Sequence, residues 1–269
     1  MPSNDDHHPN TPSRIEQAAR RLREAAVSGV PCQPVRDLID AGDLAGAYAV
    51  QRLNIDAALS AGARRCGRKV GLTNPAVQRQ LGVDQPDYGT ILDTMVFTSG
   101  AQVPFRGLLQ PRAEAEIALV LGQDLSGGQV TAEQAAAAVS GIRLAIEVVD
   151  SRIAGWDITF VDTVADNASS GLAVLGAELS PPDGLDLAAV EMTLSRNGVE
   201  ESTGRGAATL GHPMNALAWL AAAADKLGDP LQAGEVVLTG ALGPVVDVRA
   251  GDVVTVEFTG LGTVHAHFE

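Results

Sequence analysis

The feature that most constrains the fold is a change in the spacing of apolar residues near residue 69. Before it, apolar residues recur at helical spacing, first behind Ser13 and again behind Asp43. After it, short apolar runs are separated by glycine and proline, a pattern typical of strands joined by turns. The clearest of these runs are 116–121, 143–149, 191–195, 235–239 and 252–258.

Two helical patterns interrupt the strand-rich region. One follows Thr131, with Gln134 in capping-box position, and the other runs from Pro213 to Leu227 before Gly228. The class is therefore α+β rather than alternating βαβ. We expect a disordered tail over 1–12, a helical N-terminal subdomain over 13–68 and a β-rich core over 69–269.

The charge and composition of the chain argue against nucleic acid and membranes as binding partners. The 269 residues carry a formal net charge of −14, which disfavours attraction to nucleic acid or to anionic membranes. The apolar stretch over 216–224 is followed by Asp225 and Lys226 and falls short of the ~20 residues that a membrane span requires. Cys32 and Cys66 stand alone, as expected for reduced thiols. We expect a cytoplasmic protein that binds neither nucleic acid nor membrane.

Three glutamates in apolar surroundings are the sharpest chemical feature. Glu114 and Glu116 lie two apart at the mouth of an apolar run, so that on a strand both would point to the same face. Glu147 lies within the apolar run Leu144–Val149. Buried carboxylates need compensation, and oxygen ligands suit a hard divalent cation such as Mg²⁺ or Mn²⁺. The alternative is that Glu114 and Glu116 end a strand and pair with Arg112 or Arg143.

Two further patterns carry possible chemistry. Lys69 opens a short apolar segment, where partial burial beside an acid could prepare it for proton transfer, although a surface lysine flanking a strand gives the same pattern. The segment 150–171 is dense in Asp, Asn and Ser, and could either bind an anion or form ordinary side-chain-capped turns.

Several familiar sites are absent. Residues 204–209 lack the third glycine of a dinucleotide fingerprint, and no Walker A or nucleophile-elbow sequence occurs. No histidine lies between residues 9 and 211. A nucleophile activated by histidine is therefore disfavoured.

Taken together, five segments resemble the 2-keto-4-pentenoate hydratase family of the fumarylacetoacetase-like superfamily. They are Lys-Val-Gly-Leu-Thr at 69–73, Gly-Val-Asp-Gln-Pro-Asp-Tyr-Gly at 82–89, Gln-Pro-Arg-Ala-Glu-Ala-Glu-Ile-Ala at 110–118, Ile-Glu-Val-Val-Asp-Ser-Arg-Ile at 146–153, and Asp-Thr-Val-Ala-Asp-Asn-Ala-Ser-Ser-Gly at 162–171. The resemblance implies a mixed β-sheet roll with a helical N-terminal subdomain. It also implies roles for eight residues: Glu114, Glu116 and Glu147 as ligands of Mg²⁺ or Mn²⁺, Lys69 and Asp87 in acid-base catalysis, and Leu72, Thr73 and Ser169 in substrate binding.

The implied reaction is the addition of water to 2-hydroxypenta-2,4-dienoate or a close homologue, which yields a 4-hydroxy-2-oxo acid in meta-cleavage aromatic or steroid catabolism. The substrate would be a small anion, and relatives form homo-oligomers, often five-fold rings. An aldolase or a decarboxylase of the same pathway is a possible partner. Two alternatives stay open, a 4-oxalocrotonate-type decarboxylase and a non-catalytic subunit that keeps the metal site to support a partner. A C–C bond hydrolase is disfavoured, because such enzymes commonly use a histidine base.

Overall fold

The N-terminal part is helical, as the sequence predicts. The computed structural model describes residues 12–75, 78–79, 83–180 and 184–269, so the tail predicted over 1–12 lies almost entirely outside them. Helix α1 spans Arg14–Ser28 and helix α2 spans Leu44–Ser60. Ser13 and Glu16 form a capping box at the start of α1, and Gly29 ends this helix in the left-handed conformation.

The rest of the chain is dominated by strands. Among them lie the α-helices α3 Ala132–Ala138, α4 Phe160–Ala165 and α5 Pro213–Lys226. The strands are β1 Arg65–Gly71, β2 Asp87–Leu92, β3 Val96–Thr98, β4 Gln102–Val103, β5 Arg112–Leu121, β6 Val139–Val149, β7 Ser170–Leu175, β8 Glu191–Arg196, β9 Val199–Arg205, β10 Val236–Leu238, β11 Val246–Asp247, β12 Val253–Phe258 and β13 Gly262–Phe268.

These strands form two sheets. Within the described ranges, eight strands make the larger sheet in the order β2-β1-β10-β5-β6-β7-β3, with β11 also paired to β5. The pairs β1–β10 and β3–β7 are parallel and the other pairs are antiparallel, so the sheet is mixed. The smaller sheet has the order β4-β13-β12-β8-β9. The predicted α+β class is confirmed.

The main core lies between the two sheets and under α5. Fully buried side chains from β5, β12 and α5, such as Ile117, Val254 and Leu217, belong to one hydrophobic cluster. A second cluster joins the N-terminal helices to α4, with Leu22, Val50 and Val164 among its members. Gln51 adds polar links from α2, because its side-chain amide donates to the carbonyls of Tyr88 and Val164. The predicted subdomain boundaries remain a prediction.

Helix α4 is the main departure from the sequence prediction. The segment 150–171 is predicted as polar loop, and only two helices are expected in the strand-rich region, yet Phe160–Ala165 forms a third. It has six residues, too few for helical periodicity to be recognised. Asp162 stabilises its start by accepting hydrogen bonds from the backbone N–H and the hydroxyl of Thr159. None of the described helices is long and apolar enough to cross a bilayer.

Candidate metal centre

The register of β5 and β6 brings the three glutamates together. Glu114 on β5 lies directly opposite Glu147 on β6, and Glu116 follows two residues later on the same face. One carboxylate oxygen from each of the three lies within 4.8 Å of those of the other two. Residues separated by more than thirty positions along the chain thus form one cluster.

The cluster has the properties of an oxygen-ligand cation site. Glu116 and Glu147 are fully buried, and three of their four carboxylate oxygens have no hydrogen-bond donor among the described residues. The fourth, Glu116 Oε2, accepts from the backbone N–H of Gly240 at 2.7 Å. Buried carboxylate oxygens without donors require a positive partner. An all-oxygen set of this kind fits a hard divalent cation.

Repulsion between the glutamates raises the pKa values of two of them. Burial and the neighbouring Glu147 raise the pKa of Glu114 to about 7. Burial, Glu147 and Glu114 likewise hold the pKa of Glu116 well above its ordinary value. The carboxylates therefore cannot all ionise easily without a cation.

The two arginines of the alternative interpretation are engaged elsewhere. Arg112 pairs with Asp247 at 3.1 Å, and its guanidinium lies 4.5 Å from the centre of the Trp156 ring. Arg143 donates to the carbonyl oxygen of Gly176 at 2.8 Å. The structure therefore favours the cation interpretation over neutralisation by these arginines.

Lys69 is a buried partner of the cluster and not a surface lysine. It is 3% exposed on β1, and its Nζ lies 3.3 Å from Glu147 Oε1 and donates to the Ala168 carbonyl at 3.0 Å. Burial alone would lower the pKa of this amine, but the surrounding carboxylates, above all Glu147 and Asp87, outweigh that effect and raise it. Lys69 is therefore held as an ammonium group.

Asp87 lies beside Lys69 at the start of β2. Its Oδ2 accepts from the Thr163 hydroxyl at 3.1 Å, whereas Oδ1 has no hydrogen-bond partner in the described part of the chain. Burial raises the pKa of this carboxyl group. Gly71 is opposite in the ladder, and a Cβ there would lie 2.2 Å from Asp87 Oδ1 and 3.4 Å from Lys69 Nζ. The absence of a side chain at Gly71 lets acid and amine approach each other.

The residues expected to bind substrate lie near the carboxylate cluster and Lys69. Leu72 and Thr73 line a cleft of about 500 Å³ together with Glu114. Ser169 lies in the turn whose Ala168 carbonyl binds Lys69, and its buried hydroxyl has no hydrogen-bond partner among the described residues. Glu114, Glu116, Glu147, Lys69 and Asp87 thus lie close together, Leu72 and Thr73 line the cleft beside Glu114, and Ser169 follows the residue whose carbonyl binds Lys69. Their roles remain predictions.

Comparison with known proteins places the chain in a family. The family model for fumarylacetoacetate (FAA) hydrolase C-terminal matches residues 66–269. The 2-keto-4-pentenoate hydratase of Paraburkholderia xenovorans (strain LB400) is 50% identical over 259 residues, which are 96% of each chain. The chain belongs to the 2-keto-4-pentenoate hydratase family. Another member, the 2-hydroxyhexa-2,4-dienoate hydratase of Comamonas testosteroni, is 42% identical over 256 residues, covering 94% of this chain and 97% of that one.

A solved structure supports the same assignment of fold. The 4-oxalocrotonate decarboxylase from Pseudomonas putida G7, complexed with magnesium and adipate, matches with a TM-score of 0.89 and 32% identity. The match covers 97% of this chain and all of that one. The fumarylacetoacetase-like fold expected for a member of the hydratase family is thus confirmed, and the carboxylate cluster is its candidate site for a divalent metal.

The sequence does not predict three contacts that the structure shows around the carboxylate cluster. They come from Thr163, which holds Asp87, from the Gly240 N–H, which holds Glu116, and from the Ala168 carbonyl, which holds Lys69. Gly240 could have been suspected, because a Thr-Gly pair directly follows the apolar β10. The other two depend on α4 and on an irregular turn, for which no periodic pattern exists.

Proposed function

We propose that the chain hydrates 2-hydroxypenta-2,4-dienoate or a close homologue to a 4-hydroxy-2-oxo acid. The observation that carries the proposal is the meeting of three carboxylates, with buried oxygens that lack donors, beside the Lys69 ammonium and Asp87. Family membership gives the reaction class, a hydro-lyase. The geometry gives the residues that would perform it.

The metal ligands would be Glu114, Glu116 and Glu147. Their all-oxygen set favours Mg²⁺ or Mn²⁺. When bound, the ion supplies positive charge that holds the anionic substrate and stabilises negative charge on its C2 oxygen.

Proton transfer falls to Lys69. Its Nζ would deliver a proton to the terminal carbon of the dienol, and the enol proton is released as the C2 carbonyl forms, which leaves a conjugated enone. Asp87 keeps the ammonium charged and in place. Water then adds across the remaining double bond, with oxygen going to C4 and hydrogen to C3. Ser169, Leu72 and Thr73 would position the substrate during these steps.

The cleft favours a substrate with a short, uncharged tail. Its wall includes Leu72, Leu242, Pro244 and Val245, and among the described residues that line it there is neither lysine nor arginine. A second carboxylate on the substrate would therefore find no cationic partner here. This argues against a dicarboxylic substrate such as a 4-oxalocrotonate-type decarboxylase requires, as does the higher identity to the hydratases, 50% against 32%.

A substrate panel tests the proposal. Purified protein is incubated with unsubstituted, methylated and carboxylated dienoates, with Mg²⁺ or with a chelator, while dienoate absorbance and CO₂ are followed. We expect loss of absorbance without CO₂ for the first two substrates, only with the metal. CO₂ release from the carboxylated compound would identify a decarboxylase instead. No absorbance change with any substrate would indicate a non-catalytic metal-site subunit. The homo-oligomeric state and an aldolase or decarboxylase pathway partner remain predictions.

A further inference from the structure

The carbonyl that binds Lys69 is presented by a strained turn. Asn167, Ala168 and Ser169 are three consecutive residues in the left-handed conformation, with φ of 56°, 51° and 52°, and none of them is glycine. Residues with a Cβ atom avoid this region unless their surroundings hold them there. Here the turn directs the Ala168 carbonyl at Lys69 Nζ. Other groups of the protein must therefore hold the turn.

Arg152 binds the chain on both sides of the turn. Before it, the guanidinium Nε donates to Asp166 Oδ1 at 2.5 Å and Nη2 donates to the Asp166 carbonyl oxygen. After it, Nη1 donates to the Ser170 carbonyl at 2.7 Å, and also to the Asp150 carbonyl at 2.6 Å. The Arg152 side chain is 14% exposed, so little water competes for these bonds. One planar side chain thus fixes the distance between the two ends of the turn.

Asn167 attaches the same turn to the strand that carries Asp87. Its Oδ1 accepts from the Thr90 N–H at 2.7 Å, and its Nδ2 donates to the Thr90 carbonyl at 2.9 Å. The turn lies close against the backbone of this strand, since a Cβ on Gly89 would lie 2.3 Å from the Asn167 carbonyl oxygen. The turn therefore contacts both the Lys69 strand and the Asp87 strand.

From these contacts we propose that Arg152 is a positioning residue, which holds the 167–169 turn so that the Ala168 carbonyl fixes the Lys69 ammonium in the orientation that proton transfer needs. This inference rests on the role of Lys69 in the proposed function. Arg152 itself does not face the carboxylate cluster, because its donors are all directed to the backbone and side chain around the turn.

The substitution Arg152→Lys tests the proposal. Lysine keeps the positive charge but lacks the planar guanidinium with its several N–H donors. It can therefore bind only some of the oxygen atoms that Arg152 binds. We expect kcat for dienoate hydration to fall about 10- to 100-fold, because a displacement of about 1 Å at a reacting group has that effect. KM and Mn²⁺ affinity, measured by calorimetry, should stay close to wild type. The matched control is Arg64→Lys, whose arginine side chain is 83% exposed and pairs with Asp93, and this variant should keep wild-type kcat.

Hydrogen exchange of the metal-free protein gives a readout independent of turnover. In Arg152→Lys, backbone amides of 166–170 should exchange faster than in the wild type, while those of β5 should be unchanged. If Arg152→Lys does not fold, Asn167→Gly is the second variant, since glycine tolerates φ near 56° and the change removes both side-chain hydrogen bonds to Thr90. This variant should show the same loss of kcat and the same local exchange.

Three results would overturn the proposal. The first is wild-type kcat in a folded Arg152→Lys protein, and the second is unchanged exchange over 166–170. A fall in kcat that merely follows a loss of Mn²⁺ affinity would also contradict it, because Arg152 would then support the metal ligands. If the wild-type protein hydrates no dienoate, the proposed function fails, but the exchange experiment still decides whether Arg152 holds the turn.

Discussion

At the residue scale, the centre is a cluster of buried charges with an excess of acid. Glu114, Glu116, Glu147 and Asp87 all face the buried base Lys69. Together with burial, the excess explains why the pKa values of Glu114, Glu116 and Asp87 rise while that of the lysine does not fall. A divalent cation bound to the glutamates would neutralise most of this excess negative charge. In the proposed function Lys69 would have a role that the metal cannot replace, because its ammonium group carries a transferable proton.

Removal of the Lys69 amine should separate catalysis from metal binding. For Lys69→Ala we expect kcat to fall by about 10²- to 10⁴-fold, the usual contribution of a positioned acid or base. Mn²⁺ affinity should change little, because the three carboxylates remain. The chain has one other lysine, the exposed Lys226 at the end of α5, so Lys226→Ala is the matched control. Equal kcat in the two variants would refute the role of Lys69.

The raised carboxyl pKa makes metal affinity depend on pH. With a pKa of about 7, Glu114 holds its proton in the metal-free protein under mildly acidic conditions, and a metal ion must displace it. We expect Mg²⁺ affinity to weaken below about pH 7, by about tenfold per pH unit for each proton displaced, with proton release measured by calorimetry. Affinity that is constant between about pH 6 and pH 8 would contradict this expectation.

The same shift affects stability of the metal-free protein. The folded pKa of Glu114 lies above its ordinary value of 4.5, so between 4.5 and about 7 the folded state binds more protons than the unfolded state. The contribution of this group to stability is therefore complete below pH 4.5 and is lost as pH rises through about 7.

At the scale of elements, periodic segments are predictable from sequence and irregular ones are not. The capping boxes at Ser13 and Thr131 and the five apolar runs all correspond to observed helices and strands. The strand period also places Glu114 and Glu116 on one face. It cannot show that Glu147 lies opposite Glu114, because register depends on pairing between distant segments. Helix α4 and the left-handed turn after it are too short to leave a periodic pattern.

A buried carboxylate of helix α4 adds a polar link between the N-terminal segment and the core. Asp162 accepts from the N–H groups of Val35 and Arg36 and pairs with the Arg36 guanidinium at 3.0 Å. Asp162→Ala leaves the backbone N–H groups of Val35 and Arg36 without this acceptor and removes one of the two carboxylate partners of the Arg36 guanidinium, so we expect a loss of about 3 kcal/mol in the free energy of unfolding by urea. Asp157 pairs with the same arginine but is 68% exposed, and Asp157→Ala should cost less than about 1 kcal/mol. Similar losses in both variants would contradict the buried junction.

At the scale of the whole molecule, the centre draws on segments from β1 to the loop after β10. Glu114 and Glu147 sit on central strands of the larger sheet, while Lys69, Ala168 and Gly240 reach the cluster from its surroundings. Sequence alone identifies the chemical groups, but their distances follow from packing of the whole chain. The hydrophobic core that sets this packing consists of apolar side chains. We therefore expect the fold to persist when the metal is removed, with its far-UV circular dichroism unchanged.

Metal removal should nevertheless lower stability, since the ion binds a site that the unfolded chain lacks. At a Mg²⁺ concentration about 100 times Kd the gain is about 2.7 kcal/mol, equivalent for a chain of this size to roughly 5 °C in Tm. Calorimetric scans with Mg²⁺ and with a chelator measure the difference. Glu147→Gln should lose most of the Mg²⁺-dependent shift, because an amide replaces a charged ligand at the centre of the cluster. The exposed Glu200 offers the matched control, and Glu200→Gln should keep the full shift. An equal shift in Glu147→Gln and Glu200→Gln would mean that Mg²⁺ stabilises the protein from some place other than the β5–β6 carboxylates.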